Sequence, residues 1–126
     1  MMSCLRRLSG LSRGAFSAHW RSHGRLGKAA HARGLMQGYV QSHALSPGEP
    51  GTEELCGLPP VATWWDGMVT ASFADVVTAN RLFADAEIRD AAMADERRFI
   101  DHARGAAILM TPRLIGDHSA GRTNPR

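Results

Sequence analysis

The chain has 126 residues, 44% of them hydrophobic, and a formal net charge of +3. That is one ordinary domain with enough apolar material for a core, which excludes a disordered chain or a disulfide scaffold. No apolar run is long enough for a membrane helix, and there is no C-x-x-C pair or glycine-rich phosphate loop, so no cofactor is expected.

The opening, "MMSCLRRLSG", is basic but lacks the continuous apolar core of a secretory signal, and is expected to belong to the mature protein. A first strand is placed at "SCLRRL", mainly because the topology below requires one. Arg6 and Arg7 on it could pair a substrate carboxylate, although strand alternation lets only one face a pocket. Ser12 then caps a helix whose apolar period runs through Phe16, Trp20, His23 and Leu26 and stops at Gly34. On that helix Phe16, His19, Trp20, His23 and Gly27 share one side, so two imidazoles stand where apolar residues belong.

Residues 35–45 have strand chemistry at Tyr39 and Val40, and period two sends Leu35, Gln37, Tyr39, Gln41 and His43 to one face. Residues 46–60 hold four of the six prolines and three glycines. They are expected to form a long mobile loop or lid. "ATWWDGMVTASF" reads as the next strand, with Val69, Ala71 and Phe73 on one face and Met68, Thr70 and Ser72 on the other. Asp75 caps a helix, and Asp85 restarts or continues it. Ile88, Ala91, Ala92, Asp95 and Phe99 fall in phase there, with Glu96 and Arg97 toward water. "GAAILMT" reads as a short buried strand ended by Pro112. The domain is expected to span residues 1–115, with residues 116–126 a disordered tail.

Strand, helix, strand, strand, helix, strand is the ferredoxin-like α+β arrangement, an antiparallel sheet with both helices on one face. A sheet bare on its other face predicts a homodimer. Charge is uneven: no acid precedes Glu49, while twelve acids against eight arginines follow. Interleaving of the two halves accounts for this better than nucleic acid, because no recognition helix or stacking aromatic pair accompanies the charge. Cys4 and Cys56 are expected as free thiols of a cytoplasmic protein.

The segments "RRLSGLSRGAFSAHWRSHGRL", "GYVQSHAL", "DGMVTASFADV" and "ADERRFID" together resemble the EthD family, named for ethyl tert-butyl ether degradation. The resemblance covers about residues 5–110. It implies a dimeric α/β barrel, two ferredoxin-like protomers pairing sheet to sheet, with a ligand pocket between sheet and helices. It also implies catabolism of small organic compounds, alongside a cytochrome P450 system. Relative to the family's pattern, the His19–His23 interval is one residue short and Arg25 replaces a proline. A related branch, similar to muconolactone methylisomerases, has a histidine and tyrosine matching His23 and Tyr39. Its cysteine is replaced by Ala71, which argues against that isomerisation.

A pocket between helix and sheet needs an apolar wall and a few convergent polar groups. His23 is the candidate acid or base and Tyr39 its hydrogen-bonding partner. His19, His43, Trp65 and Arg7 are candidate ligand contacts, with a plain core role ahead for His19 and His43. If the shortened interval rotates the helix end, His19 turns inward and His23 outward. The leading expectation is a protein that binds or transforms a small, mostly apolar molecule. A non-catalytic carrier and a haem-binding barrel are the alternatives.

Overall fold

Ser12 begins the first helix as its chemistry requires: the side chain accepts from the amide of Ala15, satisfying one of the free donors of the first turn. The structure, a computed structural model, describes residues 1–45, 49 and 65–111. Within them run β1 (Met2–Leu5), α1 (Arg13–Ala32), β2 (Gly38–His43), β3 (Gly67–Ser72), α2 (Val76–Ala84), α3 (Ala86–Glu96), a 3-10 turn (His102–Arg104) and β4 (Ala106–Ile108). Helix α1 ends at Ala32 and is closed by Gly34 two residues on, whose φ of 69° suits a residue without Cβ. There the amides of Gly34 and Leu35 return to the carbonyls of His31 and Ala30, closing the helix.

The four strands form one antiparallel sheet in the order β2-β3-β1-β4. This is an α+β fold with the strand order of a ferredoxin-like protomer. Register decides the two faces. Tyr39 pairs with Ala71, Gln41 and Ser3 with Val69, and His43 and Leu5 with Gly67, so these residues share one face. Val69 packs with Phe16 and Trp20 of α1 and with Phe99 and Ile100, while Ala71 packs with Ala30, Met36 and Leu82. All three helices therefore lie on the Val69–Ala71 face. Met2, Cys4, Val40, Met68, Thr70 and Ile108 belong to the opposite face.

Three sequence expectations are corrected. The first strand ends at Leu5, because Arg7 leaves the ladder to bridge Ile100 and pair its guanidinium with buried Asp66. Of the two courses left open at Asp85, the structure takes the restart: Asp85, at φ −70° and ψ 104°, ends the first helix and caps the second through the amide of Ile88. Ala91 is exposed rather than inward. The last strand is not buried. All three residues of β4 are exposed, because it is an edge strand paired only with β1. The expected loop at 46–60 (Glu49 apart), the tail at 116–126, Cys56 and Trp64 lie outside the described residues.

Candidate functional site

The sheet and helices enclose a cavity of about 420 Å³, walled largely by apolar side chains including Trp20, Leu26, Met36, Val69, Leu82 and Ile88. His23, Tyr39, Glu96 and His102 also line it. His23 arrives there by helical periodicity: Phe16, Trp20, His23, Gly27 and Ala30 are the buried residues of α1. Tyr39 arrives through β2, on the helix-facing side. Its ring lies so close to α1 that a Cβ on Gly27 would stand 2.8 Å from ring carbons. Glycine at 27 makes that approach sterically possible.

The polar centre is built by α3. Asp95 is 7% exposed and accepts two hydrogen bonds, from His23 Nδ1 at 2.8 Å to Oδ2 and from His19 Nε2 at 3.1 Å to Oδ1. An ionised carboxylate only accepts, so it fixes the proton of His23 on Nδ1. The neutral imidazole then carries its basic lone pair on Nε2, and Oε1 of Glu96 lies 3.6 Å from that atom. Adjacent residues at the end of α3 thus straddle one ring. Phe99 packs against both imidazoles, with centroids 4.5 Å from His19 and 5.4 Å from His23.

Burial disfavours charge on His23 and would lower its pKa. The hydrogen bonds and negative charge of Glu96 and Asp95 outweigh it, and the pKa is raised above 6.5. For Asp95 burial pushes upward, but the bonds from His23 and His19 win and the pKa is lowered below 3.8. The pair favours imidazolium beside carboxylate. Its neutral imidazole is a base whose strength is reinforced by the aspartate, the arrangement general acid–base chemistry uses.

Each sequence candidate has a definite place. His23 and Tyr39 line the same cavity, with no hydrogen bond between them among the described residues. His19 is not among the cavity-lining residues; it lies at the outer side of Asp95, its side chain 26% exposed. His23, not His19, takes the inward position. His43 shares the helix-facing sheet surface with Tyr39 but sits under Trp20, ring centroids 4.4 Å apart. There its Nδ1 accepts from Ser17 at 2.5 Å and its Nε2 donates to Gln41 at 3.4 Å. Burial and then the charge of Arg21 lower its pKa, keeping it neutral. His43 does not reach the cavity. Trp65, 39% exposed, and Arg7, held on Asp66, do not line it either.

Glu96, Asp95 and His102 are the participants that sequence patterning left without a role. Glu96 was expected toward water, but α3 ends at that residue and its last turn swings the carboxylate onto His23. Asp95 carried a usable signal: it is a carboxylate on the apolar phase of its helix, the same anomaly as the histidines of α1. His102 follows α3 in a 3-10 turn that no apolar period marks.

A family model described as the EthD domain matches residues 8–103 of the chain. No curated protein matches it.

Proposed function

Because this chain belongs to the EthD family, we propose that its cavity binds a small, mostly apolar molecule and that His23 exchanges a proton with it. The observation that carries this reading is the buried Asp95–His23 pair, whose imidazole lines a largely apolar chamber. Asp95 holds the imidazole in one tautomer, and Nε2 takes a proton from an acidic C–H or O–H of the ligand or returns one. Tyr39 lines the opposite, sheet side and can donate its phenolic proton to oxygen charge developing on the ligand. The metabolic setting we propose is cytoplasmic catabolism of small organic compounds, including ether degradation beside a cytochrome P450 system.

The test is extraction and mass spectrometry of small molecules from the purified protein, followed by assay of that molecule with His23→Gln. Conversion by the wild type and loss in the variant support the reading. Affinity without conversion makes the protein a carrier, the second reading, which the apolar cavity favours equally. A haem-binding barrel fits less well. Nε2 of His23 faces the carboxylate of Glu96, which would have to leave before iron could take its place. Purified protein without a visible absorption band closes that alternative.

We also propose that two protomers pair through the sheet face opposite the helices. Val40 and Ile108 are each 57% exposed there, with Thr70 and Met2 between them in register and Met68 on the same face. Apolar surface of that kind is the usual ground of association.

A further inference from the structure

Glu96 does not end at His23. Its second oxygen, Oε2, lies 3.4 Å from Nε2 of His102. Side-chain exposure rises along the three groups, from 8% for His23 to 24% for Glu96 and 43% for His102. His102 lines the cavity and is also open to solvent, so it stands at the mouth. A buried base that takes a proton each cycle must lose it again before the next, and an apolar chamber filled by a ligand offers no water to receive it. The other ionisable groups around this route do not provide one. Asp95 keeps the other nitrogen of His23 and is flanked by His19, Arg25 at 3.6 Å and Arg98 at 3.7 Å. Arg89, from α3, and Tyr39, from β2, line the cavity and, among the described residues, make no hydrogen bond to either imidazole.

We propose that Glu96 and His102 form a proton relay joining His23 to solvent, with His102 as the exchange port. The transfers balance with one proton and no change of oxidation state. Imidazolium His23 gives its Nε2 proton to Oε1 of Glu96 and becomes neutral. The carboxyl group rotates and passes that proton to Nε2 of neutral His102. The exposed His102 imidazolium then releases a proton to water. The gaps of 3.6 and 3.4 Å exceed the usual hydrogen-bond length by about half an ångström, within reach of side-chain rotation. The raised pKa of His23 agrees with this, since Glu96 is the leading favourable contributor.

This inference rests on the acid–base reading of His23, but its test needs no ligand, so the two can fail separately. In full-length protein labelled with 13C and 15N at histidine, relaxation dispersion near the His23 pKa reads its rate of protonation and deprotonation. His102→Ala is expected to slow that rate about tenfold or more, on the scale of a lost proton-transfer group. Added imidazole should restore the rate in this variant and leave the wild type unchanged. Glu96→Gln should slow exchange without rescue, because the link to His23 itself is cut. His102→Gln, which keeps a polar group but cannot carry the proton, should behave as the alanine variant and serves if that one unfolds. An unchanged rate in the His102 variants overturns the relay. So does a slowed rate that imidazole fails to restore, which would mean that His102 acts only through structure.

Discussion

Asp95 and His23 meet across the gap between α3 and α1, Oδ2 to Nδ1 at 2.8 Å, and each is no more than 7% exposed. Neither would be tolerated there alone, since a buried charge without a partner is costly. The same carboxylate engages His19, so one acid accounts for both histidines on the apolar stripe of α1. Replacing Asp95 by Asn keeps the shape and removes the charge. Unfolding free energy should fall by about 1–3 kcal/mol, the scale of a buried hydrogen bond to a charged group. The His23 pKa should fall as well. Urea titration and histidine NMR measure the two effects independently.

The stability this pair contributes should peak between the ordinary values of the two partners. His23 is raised above 6.5, so its contribution is complete below that value and is lost as pH climbs through the folded pKa. Asp95 is lowered beneath 3.8, so its contribution is complete above that value and is lost as pH drops through the folded pKa. The pair's share of the denaturation midpoint, read as the difference between wild type and His23→Gln, should therefore decline on both sides of a window between about 3.8 and 6.5. His43, with its lowered pKa, acts in the opposite sense. His23→Gln should flatten the alkaline limb attributable to this pair.

Gly27→Ala should disturb Tyr39 directly. The added methyl meets ring carbons at 2.8 Å, and both helix backbone and strand resist moving. An overpacked site of this kind costs about 1–3 kcal/mol. Tyr39 fluorescence is obscured by three tryptophans, so the check is a crystal structure of the variant with its melting temperature. An unshifted ring with unchanged stability would contradict the close contact.

Arg7 separates a structural ion pair from a ligand contact. Its guanidinium and its amide both bind Asp66, which is 5% exposed, and Arg13 stands 3.7 Å away. Arg7→Ala leaves that carboxylate short of partners and should destabilise the fold by about 2–4 kcal/mol. Affinity for whatever molecule co-purifies should stay within about twofold at temperatures where the variant is folded, since Arg7 does not line the cavity.

The exposed sheet face gives the fifth expectation. Sedimentation of the wild type at micromolar concentration should show a dimer, and Val40→Lys should shift it toward monomer by placing a charge on the apolar surface at its β2 edge. A monomeric wild type would remove the sheet-to-sheet assembly.

Local chemistry was enough to read much of this protein in advance. Ser12, Asp75 and Asp85 cap the helices they were expected to cap, because a side-chain oxygen at that position answers its own helix. Period 3.6 put His23 on the inward stripe of α1, and period 2 put Tyr39, Gln41 and His43 on one strand face. Periodicity assigns a face, however, and not a position along it. Trp20 covers His43 while Tyr39 stays open to the cavity, a difference set by where α1 crosses β2. The exposure of β4 follows from its place at the sheet edge, which no local pattern encodes. The partners of His23 lie 72 and 73 positions away, at Asp95 and Glu96. Residues that distant interact only after the sheet has brought α1 and α3 side by side, so the chemistry of the site belongs to the packing of two helices rather than to either one.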